Sequence, residues 1–171
     1  EVNNECNDFA DLENLKPFIL YSGASDPRKN VRRLIAAFSD LSIQLKNVKL
    51  VLVGKLLPQE VELIDSWIAL FNIKPEQVIQ LGYVPDNKLV FLYQNCDLFV
   101  FPSLHEGFGL PVLEAMCCGA PVIGSNRTSI PEVISYEPAL FDPNNVLEIK
   151  NLMFKALTDE KFKKELLLNS S

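Results

Sequence analysis

The chain has 171 residues, 48% hydrophobic and 22% charged, with a formal net charge of -6. That size and composition fit one water-soluble globular domain with a sizeable core and argue against disorder. The acidic balance gives no reason to expect nucleic acid or an anionic membrane surface as partner, so local geometry has to hold any bound anion.

Residues 1–16 are polar and read as a lead-in or interdomain segment, ahead of a domain over 17–171. The chain opens "EVNNEC", without methionine or a signal peptide, and closes "LLLNSS" within a helical pattern. Both ends point to a piece of a longer protein. No apolar run approaches the roughly 18 residues that a spanning helix needs.

From Phe18 onward, apolar runs alternate with amphipathic ones. "FILYSG" (18–23), "VKLVLVG" (48–54), "VIQLGY" (78–83), "DLFVFPS" (97–103), "PVIGS" (121–125) and "ALFDP" (139–143) read as short strands. They are apolar throughout, as parallel strands covered on both faces should be. Between them, "KNVRRLIAAFSDLSIQL" places Val31, Leu34, Ile35, Phe38 and Leu41 on one face at the helical period. "PQEVELIDSWIALF", "DNKLVFLYQNC" and "LPVLEAMCCG" behave alike, and 145–168 reads as one last charged helix. Alternation with short connections predicts an α/β fold: a single doubly wound, Rossmann-like parallel sheet of about six strands, with helices on both faces. Trp67, Phe71 and Phe91 fall on apolar helix faces and read as core.

Six of the seven glycines, Gly23, Gly54, Gly82, Gly107, Gly109 and Gly124, lie at or just beyond the carboxyl end of a predicted strand. Ligands of open α/β sheets bind along that edge, where backbone must come close to them. Gly119 instead stands where a helix C-cap is wanted. The four cysteines, Cys6, Cys96, Cys117 and Cys118, have neither a disulfide-framework nor a zinc spacing. They read as buried reduced thiols, which suits the cytoplasm.

"HEGFGLPVLEAMCCG" reads as strand end, glycine loop and helix, with Pro111 in the first turn. The amides of Phe108, Gly109 and Leu110 would face outward at the positive end of the helix dipole, where phosphate binds. Glu114, one turn along, is placed to accept hydrogen bonds from ribose hydroxyls, and Glu106 to do the same for a sugar. A second element, "SGASDPRKNVRRL", puts Arg28 and Lys29 where the next helix begins, against its dipole, unless an anion bridges them and the glycine loop. Arg32 and Arg33 read as solvated helix surface. His105 reads as a local structural residue rather than a general base.

These segments resemble a known family. "PSLHEGFGLPVLEAMCCGAPVI" matches an E-x7-E signature, and "SGASDPRKN", "LGYVPDNKLVFLYQNCDLFVFPS" and "SIPEVI…ALFDP" match the accompanying blocks in order. Over about Phe18 to Leu157 the chain resembles the C-terminal, donor-binding half of a family-four retaining glycosyltransferase (glycosyltransferase group 1) of GT-B architecture.

The resemblance implies that Arg28 and Lys29 neutralise a donor diphosphate and that Glu106 contacts the donor sugar. Amides of Gly107, Phe108, Gly109 and Leu110 would hold phosphate and sugar, Glu114 the ribose, and backbone near Val84, after Gly82, the base. Gly23 marks the turn where many relatives carry a following arginine; here Ala24 stands there, and Arg28 would supply the charge. No cofactor or metal is implied, and the sequence has no DxD and one histidine. The implied donor is GDP- or UDP-linked, with "PRKN" leaning to GDP-mannose. The implied acceptor is a glycan or lipid-linked sugar held by an N-terminal domain absent from this chain. The implied setting is polysaccharide biosynthesis in the cytoplasm, with the full-length protein peripheral to the inner face of the plasma membrane. The alternative is a nucleotide-sugar-binding or interaction module of the same fold without catalysis. A dinucleotide-dependent oxidoreductase fits poorly, because "GASDPR" lacks the later glycines of GxGxxG.

Overall fold

A computed structural model describes residues 10–169. After one turn of helix, α1 (Ala10–Glu13), come β1 (Phe18–Ser22), α2 (Val31–Gln44), β2 (Lys49–Val53), α3 (Pro58–Leu70) and β3 (Val78–Gly82). Then follow α4 (Asp86–Asn95), β4 (Leu98–Phe101), α5 (Leu110–Cys117), β5 (Val122–Ser125), α6 (Ile130–Ile134), β6 (Leu140–Phe141), α7 (Val146–Thr158) and α8 (Glu160–Asn169). All six strands form one parallel sheet in the order β3-β2-β1-β4-β5-β6. The doubly wound expectation therefore holds.

Burial explains the strands. Every residue of β1, β4 and β5 is buried, because helices cover both faces and polar alternation would bury unpaired side chains. β3, at one edge, is only partly covered. α2 packs against α7 on one face, while α4, α5 and α6 follow one another on the other. Leu12 and Leu15, within the polar lead-in, reach the core. Trp67, Phe71 and Phe91 are partly buried against it. Among the described residues, no helix is long and apolar enough to cross a membrane.

Two elements depart from expectation. The terminal charged run is two helices, because Asp159 leaves helical geometry (φ −101°, ψ 101°). Its carboxylate accepts from the amides of Lys161 and Phe162, both at 3.0 Å, and so restarts the chain as α8. α6 is an additional short helix whose Ile130 and Ile134, one turn apart, are buried on β5. Their packing is also why position 124 is glycine: a Cβ there would stand 2.7 Å from Ile134 Cδ1. That glycine serves helix packing rather than a ligand's approach. Gly119 has φ 79° just beyond α5, as a C-cap requires.

Candidate functional site

The chain turns left after β1, to β2, and right after β4, to β5, so the sheet reverses direction between β1 and β4. Such a switch point opens a crevice at the carboxyl ends of the strands. Beneath it lies a run of rings: Tyr93 meets Phe99 edge-on at 5.4 Å, Phe99 stacks on Phe101 at 6.1 Å, and Phe101 on Tyr21 at 6.4 Å. This floor is buried and largely apolar, so groups above it are poorly solvated.

Two loops rise from the floor. At the end of β1 the Gly23 amide donates to Val53 O at 2.8 Å, and the Tyr21 hydroxyl donates to Ala24 O at 2.7 Å. A side chain at position 23 would collide with that hydroxyl, so Gly23 is fixed by packing. Asp26 then caps a 3-10 turn, Pro27–Lys29, by accepting from the Arg28 amide at 3.0 Å. Asn30 ends the turn with a left-handed φ of 60°, a conformation Asn tolerates. Its buried side chain donates to Pro102 O at 3.0 Å and Pro143 O at 2.8 Å. The Leu104 amide donates to Arg28 O at 2.7 Å, stitching the turn to the exit of β4.

That exit brings Glu106 over the crevice. The Glu106 amide donates to Thr128 Oγ1 at 3.1 Å, and the Ser129 hydroxyl donates to Glu106 O at 3.3 Å. Lys29 Nζ donates to Glu106 Oε1 at 2.7 Å, and the two side chains are only 20% and 12% exposed. The same ammonium stands 5.7 Å from the centre of the Phe101 ring. Directly after Glu106, the amides of Gly107, Phe108, Gly109 and Leu110 meet no acceptor among the described residues. Gly109 has φ 91°, and a Cβ on it would press on Ile130 Cδ1 at 2.7 Å, so α5 can start here only from glycine. Beside Lys29, then, lies a run of open donors at the positive end of a helix.

Glu114 lies one turn further along α5, exposed, on a groove of about 350 Å³ between α4 and α5. Asp86, Tyr93, Cys117 and Cys118 also line it. The Tyr93 hydroxyl donates to Glu114 Oε2 at 3.3 Å. Burial pushes the Tyr93 hydroxyl above the ordinary tyrosine range, so it remains a donor even in mildly alkaline solution. Val84 is half-buried against the core, and Asp86, two residues on, faces the groove instead.

The site residues read from the sequence are thus gathered unevenly. Lys29, Glu106 and Gly107–Leu110 come together; Glu114 sits above its own groove. Arg28 does not join them. Its side chain is 70% exposed and its Nε donates to Asp26 Oδ1 at 3.1 Å. Burial alone would raise the Asp26 carboxyl, but hydrogen bonds from Arg28 outweigh it and hold it below the usual value. Both cations stand just before the N-terminus of α2, and Asp26 and Glu106 offset their charges there. His105 is exposed. Of the thiols, Cys96 is buried, whereas Cys118 is half-buried and Cys117 exposed, which corrects the expectation for that pair. Cys6 lies outside the described residues. Among the described residues, no group of three or more His, Cys, Asp or Glu side chains is placed to hold a metal.

Sequence reasoning missed Asn30, Tyr93, Thr128 and Ser129. Asn30 carried a local signal, an Asn between a turn and a helix start. The others act across the fold and carried none.

A family model described as "Glycosyl transferases group 1" matches residues 6–169. The "Serotype-specific mannosyltransferase WbdA" of Escherichia coli is 49% identical over 150 residues, 87% of this chain and 18% of that protein. The "O-antigen chain mannosyltransferase B" of E. coli is 39% identical over 155 residues, 85% of this chain and 38% of that one. Among solved structures, the C-terminal domain of the group 1 protein LpcC from Francisella tularensis superposes with TM-score 0.80 at 23% identity, covering 91% of this chain and 82% of that one. Anabaena HepE, solved with UDP and glucose, superposes with TM-score 0.83 at 21% identity, covering 99% and 47%. This chain therefore belongs to the glycosyl transferases group 1 family, and it has the fold of the C-terminal domain of the GT-B architecture.

Proposed function

We propose that this domain binds a nucleotide-diphosphate sugar across the carboxyl ends of β1 and β4 and, with an acceptor-binding second domain, transfers the hexose with retention of configuration. The observation that carries the reading is the Lys29–Glu106 contact of 2.7 Å beside the four open amides of Gly107–Leu110. A cation and unpaired amides converging over an apolar floor suit a diphosphate.

On this reading the donor changes Lys29's partner. The diphosphate takes the ammonium from Glu106, whose carboxylate is released toward the sugar, and Glu114 holds the ribose with Tyr93 steadying it. Arg28 contributes charge at longer range. Breaking the sugar–phosphate bond builds negative charge on the leaving diphosphate, and each donor aimed at it lowers the barrier by roughly 3–4 kcal/mol.

The mannosyltransferases at 39% and 49% identity support mannose as the sugar and hence a GDP-linked donor; UDP-linked donors are the alternative class. They equally support a role in building a bacterial surface polysaccharide; the family resemblance implies that the full-length protein works at the cytoplasmic membrane face. The acceptor belongs to the second domain, so this chain alone binds donor and transfers little. A thermal-shift series with GDP, GDP-mannose, UDP and UDP-glucose tests the reading, because a native-state ligand raises the melting temperature. The GDP pair should raise it most; no rise with any of the four would overturn the proposal. Turnover by the full-length protein separates an enzyme from a binding module that has lost catalysis.

A further inference from the structure

A second cavity, of about 250 Å³, shares the Pro27–Lys29 turn, but neither Lys29, Glu106 nor the glycine loop lines it. It lies between the start of α2 and the side of α3, walled by Ser25, Asp26, Arg32, Arg33, Leu63 and Trp67. Ser25 is 7% exposed, and among the described residues its hydroxyl has no hydrogen-bond partner. A buried hydroxyl left unpaired is destabilising unless something outside the fold satisfies it.

Two arginines stand on its wall, Arg32 exposed and Arg33 half-buried. Among the described residues, neither Arg32 nor Arg33 has a carboxylate within ion-pair distance. Arg33 Nη1 donates to Asn30 Oδ1 at 3.0 Å, which steadies that side chain and leaves its other N–H groups unused. Asp26, the acid on the wall among the described residues, is occupied by Arg28 at 3.1 Å. Two guanidinium groups and a hydroxyl can donate to three oxygens of one tetrahedral oxyanion, which a planar carboxylate does not offer. Opposite them, Leu63 and the half-buried Trp67 form an apolar wall. The volume falls below the roughly 300–1,000 Å³ of sites for drug-sized ligands, so the occupant is small.

We propose that this cavity is a second anion site, which takes the phosphate group of a small phosphorylated organic molecule and seats its organic part on Trp67 and Leu63. The assignment is independent of the donor reading, since the two sites share no ligand-facing side chain named above.

Trp67 is the only tryptophan of the chain, so its fluorescence reports on this cavity directly. The 171-residue chain is titrated with glucose 6-phosphate, with inorganic phosphate, and with chloride at matched ionic strength. The expected result is a saturable change with both phosphates, at lower concentration for glucose 6-phosphate, and none with chloride. Arg32→Gln and Ser25→Ala should each weaken it at least about tenfold. Lys29→Ala should leave it within about twofold, because that residue belongs to the other site. Ser25→Ala removes an orphan hydroxyl, so its melting temperature should not fall; this separates lost binding from lost folding. No saturable change through the millimolar range, an equal change with chloride, or equal affinity for the two phosphates would overturn the assignment. So would a change abolished by Lys29→Ala and retained in Arg32→Gln.

Discussion

Replacing Lys29 with alanine acts on two quantities at once, and the structure sets the size of both. Its ammonium makes one charge-assisted hydrogen bond of 2.7 Å to a carboxylate that is itself only 12% exposed. A hydrogen bond to a charged group contributes about 1.5–3 kcal/mol, and its loss strands a poorly solvated carboxylate. Lys29→Ala should therefore lower unfolding free energy by about 1.5–3 kcal/mol in urea melts. On a Glu106→Gln background the same change should cost less, because the stranded charge is gone; the coupling should clear about 0.5 kcal/mol, the usual limit of additivity.

Binding should separate in parallel. Lys29→Ala should weaken GDP or UDP by roughly 10–150-fold, the equivalent of one charge-assisted contact, yet leave guanosine or uridine nearly unchanged. Glu106→Gln should tighten the diphosphates, since the carboxylate that competes for Lys29 has been neutralised. Calorimetry on the four proteins reads all of this. Equal losses for nucleoside and nucleotide, or additive stabilities, would show that Lys29 touches no phosphate and that the ion pair is incidental.

Other outcomes follow from single contacts. Asn30→Ala should cost about 2–4 kcal/mol in urea melts, because it strains a left-handed position and leaves the Pro102 and Pro143 carbonyls without their donor; a change below about 0.5 kcal/mol would refute that bridging role. Gly54→Ala should cost about 1–3 kcal/mol, because its Cβ runs into the Gly23 carbonyl, and an unaltered melting curve would show that the two turns are not packed as described. Iodoacetamide followed by mass spectrometry should label Cys117 well before Cys96, whose thiol burial pushes up to about 12, and before Cys118, which burial and its neighbours Cys117 and Glu114 also raise. Bound nucleotide should slow labelling of Cys117, which lines the groove beside Glu114; labelling of Cys96 at a comparable rate would contradict the burial.

The sheet was legible in the sequence because its strands are buried on both faces and so had to be written as unbroken apolar runs. Phe18–Ser22 and Leu98–Phe101 needed nothing more. What escaped was decided by a few side chains acting at close range. Asp159 splits the last helix through its own carboxylate, and α6 holds only one turn of apolar spacing, too little to register as a period. In the candidate site, the glycine loop and Lys29 were each visible as local patterns. Both were read at the carboxyl edge of the sheet, as two sides of one anion site; the direct ion pair between Lys29 and Glu106, 77 positions apart, was not. Arg28 shows the converse: adjacency in sequence to Lys29 did not carry it into the crevice, because Asp26, two residues back, offers a nearer partner. The glycines at the sheet edge also divide on structural grounds. Gly54 and Gly124 are fixed by packing, whereas among the described residues nothing lies within 4 Å of a Cβ built on Gly82 or Gly107.

The most direct test is a titration of isotope-labelled chain with GDP followed by amide NMR. A diphosphate held between Lys29 and the start of α5 predicts that the largest shifts fall on Gly107, Phe108, Gly109 and Leu110, disappear with guanosine, and shrink in Lys29→Ala. Shifts of equal size with guanosine, or concentrated away from those four amides, would contradict it.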